Sequence, residues 1–139
     1  MESKESENTL LVAFGTDDEK TLNDDHVGMA RYFHVHTFSG GSNELVEKRE
    51  NVGFAGDESI KHGDPEKAKA TSAVLKGIDV LVGKKFGPNL TRLVKKFVCV
   101  VIKMEDLDAA IEAVHNNMDK IVAEKLKSQD RKHIVLRQS

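Results

Sequence analysis

Three stretches of the chain are apolar almost without interruption: Thr9-Leu10-Leu11-Val12-Ala13-Phe14, Ile78-Asp79-Val80-Leu81-Val82 and Phe97-Val98-Cys99-Val100-Val101-Ile102. Each is too short for a helix and lacks the alternation of a half-exposed strand. Each therefore predicts a strand covered on both faces. Tyr32-Phe33-His34-Val35-His36-Thr37-Phe38 alternates and is rich in aromatic and β-branched residues, which predicts a further strand. Ser39-Gly40-Gly41-Ser42-Asn43 reads as a hairpin connection, and Glu44 to Asn51 returns as a weaker, charged strand at or near a sheet edge.

The segments between and after these strands carry helical signals. Asp64-Pro65 supplies an N-cap and a first helical position, Ala68, Ala70, Thr71, Ala73, Val74 and Leu75 form a small-residue helix, and Gly77 stops it. Pro88 opens a second helix in which Leu90, Leu93, Val94 and Phe97 share one face. Glu105, Asp106 and Asp108 place negative charge at the start of a third, whose apolar stripe runs through Leu107, Ala110, Ile111, Val114, Met118, Ile121 and Val122 to Leu126. Unbroken, that helix would be roughly 30 Å or more long at 1.5 Å per residue, more than a small sheet needs. Asn116-Asn117 is a candidate break in it. Thr21 to Ala30 is polar and ambiguous, with room for one helical turn.

The order is β-β-β-α-β-α-β-α. Right-handed crossovers then give an α/β fold with a mixed five-stranded sheet and helices packed on it, the outline of a ribonuclease H-like fold. Residues 1–8 read as a flexible N-terminus, 9–127 as one domain and 128–139 as a tail. Within the tail, His133-Ile134-Val135-Leu136 is either a short added strand or disordered.

With 139 residues, 39% of them hydrophobic and 32% charged, the chain has enough material for one core under a heavily charged surface. A formal net charge of −2 offers no global field for nucleic acid. A single cysteine, Cys99, excludes an intrachain disulfide and a cysteine-based zinc site. Without a long apolar run or a signal-peptide pattern, the expectation is a cytoplasmic protein with no membrane partner. The first strand carries no carboxylate and Asp17 and Asp18 lie beyond it, so the converging acids of a two-metal nuclease are missing, as are a nucleophile elbow and a P-loop. A non-catalytic protein is expected.

The stretch Gly83-Lys84-Lys85-Phe86-Gly87-Pro88-Asn89 joins a buried strand to a helix start. Such a start presents unpaired N–H groups, and Lys84 and Lys85, both expected to be exposed, would add charge for an anionic ligand. The alternative is a crossover loop whose lysines face water.

Several motifs in sequence also resemble a family. They are His26-Val27-Gly28-Met29-Ala30-Arg31-Tyr32-Phe33, His62-Gly63 before the Ala-rich helix, Gly77-Ile78-Asp79-Val80-Leu81-Val82-Gly83, and Phe86-Gly87-Pro88-Asn89. In order and spacing they look like the dinitrogenase iron-molybdenum cofactor biosynthesis family, small accessory and carrier proteins of nitrogenase cofactor precursors. The resemblance spans Thr9 to Val114. It implies a ribonuclease H-like fold and binding of an iron-sulfur or iron-molybdenum cluster, with a cofactor donor or recipient protein as partner. It points to His26 and His62 as metal ligands, and to Gly83, Lys84, Lys85, Gly87 and Asn89 as the cofactor-binding turn. Val27 stands where the family usually has Phe, and Lys84-Lys85 where it often has Gly-Gly or Gly-Ile.

Imidazole suits such metals, but a loop histidine can equally serve the backbone or face solvent. His34 and His36 share a strand face about 7 Å apart, where a solvated face is favoured over chelation. Cys99 lies inside a buried run and is expected to act as a small hydrophobe. Three functions remain open: a metallocofactor-binding accessory protein, a phosphate- or nucleotide-responsive binding module without metal, and an interaction protein. In the last, Met118, Ile121, Val122 and Leu126 would pair with a second copy in a homodimer unless the chain bends at Asn116-Asn117.

Overall fold

A computed structural model of the chain describes residues 9–51, 73–127 and 129–137. Its strands are β1 (Leu10–Thr16), β2 (Tyr32–Ser39), β3 (Ser42–Glu50), β4 (Val80–Gly83), β5 (Val98–Lys103) and β6 (Ile134–Arg137). They form one sheet in the order β3-β2-β1-β4-β5-β6. β1 is antiparallel to β2, with Leu10 opposite Phe38, and parallel to β4, with Val12 beside Val80. β4, β5 and β6 continue in parallel. The α/β class is as expected, but the described residues form a six-stranded sheet rather than a five-stranded one. The addition is the tail segment, whose two open readings resolve to the added strand, laddered on β5.

The three uninterrupted runs lie in β1, β4 and β5, at the middle of the sheet, because both faces there are covered. Val12, Phe14, Val80, Val82, Val98, Val100 and Ile102 pack with Leu107, Ala110 and Val114 on one side. Ala13, Leu81, Cys99 and Val101 pack with Val27, Leu75, Ile78 and Phe86 on the other. β3 lies at an edge and is exposed along nearly its whole length, as its charges require. Gly40, at φ 62°, turns the tight hairpin that pairs Ser39 with Ser42.

The helices depart further from expectation. The predicted N-cap Asp64-Pro65 falls outside the described residues. Residues 73 and 74 are helical, and Gly77 at φ 84° is the stop predicted for it. Arg49 Nη1 donates to the carbonyls of Val74 at 2.7 Å and Lys76 at 2.8 Å, so β3 caps that helix end. The helix expected from Pro88 is a 3-10 turn, Gly87–Asn89, followed by only four α-helical residues, α1 (Leu90–Leu93). After α1 the chain turns at once towards β5, with Phe97 N–H donating to Leu93 C=O at 2.8 Å.

The long final helix is two helices, α2 (Leu107–Asn116) and α3 (Met118–Lys125). Asp106 caps α2, accepting from Ala109 N–H at 2.9 Å. Asn117 breaks the rod at φ −120° and ψ 21°, and its Nδ2 donates back to Ala113 C=O at 2.8 Å. The bend turns Ile121 into the core, where it is fully buried. Half of the expected dimer stripe is therefore spent inside the domain. Met118 packs against the core, leaving Val122 and Leu126, 36% and 79% exposed.

His34 and His36 do not lie on a solvated face; they are 5% and 7% exposed. β2 is an interior strand, and Glu19, in the left-handed region at φ 66°, reaches back to hold His34 Nε2 at 3.0 Å and Lys48 Nζ at 3.1 Å. His36 packs edge-on to Phe14, with ring centroids 5.4 Å apart, and its Nδ1 is buried without a hydrogen-bond partner among the described residues. Burial pushes its pKa below the ordinary 6.5, against a hydrogen bond that the ring donates to Asn43. The unfolded chain thus binds the extra proton first as pH falls, so stability is full above about 6.5 and declines below it. Denaturant unfolding between about pH 7 and about pH 5 should show that slope, and His36→Leu should flatten it.

Candidate functional site

Loops at the carboxyl ends of β1, β4 and β5 meet at one end of the sheet. In open α/β sheets this is the end where ligands bind. The loop after β1 is tied to the one after β5 by Leu22 N–H to Glu105 C=O at 2.9 Å and Leu107 N–H to Lys20 C=O at 3.0 Å. It is tied to the one after β4 by Val27 N–H to Lys85 C=O at 2.7 Å, beside the bridge that pairs His26 with Lys85.

Glycines make this closeness possible. Val27, fully buried, sits in a single 3-10 turn (Val27–Met29) over the last residues of β1 and β4. A Cβ on Gly83 would lie 2.7 Å from Val27 Cγ2, and one on Gly15 would lie 2.9 Å from the same atom. Gly87 has φ 69°, and a Cβ there would lie 2.5 Å from Cε1 and Nδ1 of His26. The His26 ring therefore lies flush on the Gly87 backbone. Asn23, 2% exposed, braces the turn from below: its Nδ2 donates to the carbonyls of Asp25 and His26, each at 3.0 Å. Nothing in the sequence singled Asn23 out, because its role depends on which carbonyls the loop turns inward.

His26, Gly83, Lys85 and Gly87 are thus brought together. Asn89 ends the 3-10 turn that begins at Gly87. His62 lies outside the described residues. The hydrogen bonds of His26 run through its backbone, with N–H to Asp25 Oδ1 at 2.7 Å and C=O from Met29 N–H at 2.8 Å. Its half-buried ring has no hydrogen-bond partner among the described residues.

Lys84 departs from expectation. Its side chain is only 12% exposed, and its ammonium is bonded to Asp24 and, at 2.8 Å, to Glu105 Oε2. Burial pushes its pKa down, but the two carboxylates outweigh that and leave it above the ordinary value. It is a neutralised structural cation, whereas Lys85 is exposed as predicted. The helix that would have lent its N-terminus to an anion is reduced to the four residues of α1.

The acids nearby are also engaged. Asp17 Oδ1 accepts from Arg31 N–H at 2.9 Å. Asp18 accepts from the N–H groups of Lys20 and Thr21, which hold its carboxyl down at about 2. Among the described residues no group of three or more His, Cys, Asp or Glu is placed to hold a metal ion. Cys99 is buried in β5 with its thiol pushed up to about 12 by desolvation, the character of a small hydrophobe expected for it. No described helix is long and apolar enough to cross a membrane.

No curated protein matches the chain. Residues 8–117, which hold β1 to β5, the His26 turn and the Gly83–Gly87 loop, match the family described as dinitrogenase iron-molybdenum cofactor, and the chain belongs to that family.

Proposed function

We propose that the chain is a non-catalytic accessory or carrier protein that takes an iron-sulfur or iron-molybdenum cluster as cargo and passes it between a donor and a recipient protein. Family membership supports cofactor handling, and one observation carries the site: the His26 ring, without a hydrogen-bond partner among the described residues, laid on Gly87 at the carboxyl end of the parallel strands. The strand order 3-2-1-4-5, with β2 antiparallel to β1, supports a ribonuclease H-like fold.

The donor set fits a cargo better than a resident cluster. The thiol of Cys99 is buried and protonated, so no cysteine cage is available. His26 offers one imidazole, Gly87 gives close backbone approach, and Lys85 offers a charge beside them. His62 is the second ligand in this proposal. Asp17 and Asp18, bound to backbone N–H groups, have no role in chemistry here.

Anaerobic reconstitution with iron, sulfide and molybdate, followed by metal analysis and visible absorption, tests this reading. His26→Ala should lower uptake about tenfold or more, the scale of losing a group that holds or orients a metal, and adding His62→Ala should lower it further. Undiminished uptake in the double variant would remove both residues from the site. The metal-free phosphate reading has lost Lys84 and most of its helix; tight binding of inorganic phosphate by protein that takes up no metal would restore it.

A further inference from the structure

Lys84 holds three separate segments together. It leaves β4 one residue before the main-chain bridge to His26. Its ammonium meets Asp24, two residues before His26, and Glu105, in the loop between β5 and α2. The two carboxylates are 90% and 75% exposed, while the lysine between them is 12% exposed. An exposed acid that reaches in to a covered lysine is held by it, because burial has stripped hydration from the ammonium and only these partners replace it.

Other restraints on the His26 turn, among them Asn51 Nδ2 donating to the carbonyls of Gly28 and Ala30, show what the lysine adds. Val27 is bounded by the missing Cβ atoms of Gly15 and Gly83, which sets its depth. Asn23 holds the carbonyls of Asp25 and His26, which sets the curl of the loop. None of these ties the loop sideways to the β4 loop; that falls to Val27 N–H on Lys85 C=O and to the Lys84 side chain. His26 must lie on Gly87 for its ring to be presented at a fixed place, and Gly87 belongs to the β4 loop.

We propose that Lys84 is a positioning residue for His26: a latch that, through Asp24 and Glu105, locks the His26 turn against the Gly83–Gly87 loop, and not a contact for the cargo. The inference rests on the reading of His26 as a cargo ligand, yet the latch itself can be tested without metal. A ligand held in place before binding gives up less conformational freedom when the cargo arrives.

The first measurement is amide hydrogen exchange on the metal-free protein. Lys84→Ala should speed exchange of the Val27 N–H, which donates to Lys85, by roughly ten- to a hundredfold, the scale of a lost charged hydrogen bond. Amides of Val12 and Val100 in the central strands should keep their protection. Lys84→Arg should restore Val27 protection, and Lys84→Gln should not. Asp24→Asn changes an exposed side chain, so it keeps the latch testable if Lys84→Ala does not fold; it should also speed Val27 exchange, by less. Unchanged Val27 exchange in these variants overturns the latch. So does a loss shared equally with Val12 and Val100, which would make Lys84 a general stabiliser. The second measurement is anaerobic metal uptake. If Lys84→Ala lowers uptake and Lys84→Arg recovers it, the latch serves the cargo. If His26→Ala leaves uptake intact while the exchange results hold, the ligand reading fails and the latch stands. Uptake lost in Lys84→Ala with Val27 exchange unchanged would make Lys84 a direct contact and overturn the proposal.

Discussion

Ile121→Ala should lower the free energy of unfolding by about 2–5 kcal/mol and leave the oligomeric state as it was. Ile121 is fully buried in the core cluster that also holds Val98, Val100, Val114 and Leu136, and a truncated side chain leaves a cavity that two helices and a sheet cannot fully close. Leu126→Ala, at the exposed end of the same stripe, should change stability by no more than about 0.5 kcal/mol. Denaturant unfolding monitored by circular dichroism, beside sedimentation of the same samples, measures both. The opposite ranking would mean that the helix runs straight past the sheet and that its apolar seam serves a second copy.

Gly83→Ala should cost about 1–3 kcal/mol, and Val27→Ala in the same chain should recover much of it. The new methyl would lie 2.7 Å from Val27 Cγ2 and 2.8 Å from Val27 Cβ, and the backbone of Val27 lies just behind. A β-branched residue has few rotamers with which to escape, so the turn itself must lift, and His26 immediately precedes it. A double-mutant cycle on stability isolates the contact. Strictly additive costs would show that Gly83 is required for some reason other than Val27. The contact also gives a physical reason for a small branched residue at position 27. Its branched side chain fills the space between two glycines and is already at the limit of that space.

The parts of the fold that were legible share one property. The runs at Leu10, Val80 and Val98 are apolar on both faces because the sheet is covered on both faces there, and that requirement is written residue by residue. The charged β3 and the tight turn at Gly40 are equally local facts. The tail strand was open in the sequence because so short a segment draws its pairing from β5. His34 and His36 depart from the solvated face that the alternation predicts, for a related reason. Alternation fixes which residues share a face, but a loop from elsewhere, carrying Glu19, decides whether that face is wet.

For the candidate site, the chain by itself determined the ingredients: a histidine in a polar loop, a glycine-bounded turn after a buried strand, and lysines beside it. It could not determine how they are used. Whether a lysine faces solvent depends on carboxylates that lie far away along the chain, as Asp24 and Glu105 do for Lys84. Whether a helix reaches its full periodic length depends on what it must pack against, which is why Asn117 ends α2 and sends Ile121 inward. Glycine spacing suggested a phosphate turn, while the tertiary structure shows glycines making room for Val27 and for the ring of His26. Local pattern encodes which surfaces are apolar and where the backbone turns; long-range contacts alone decide which charges are neutralised and which side chain is left free for a ligand.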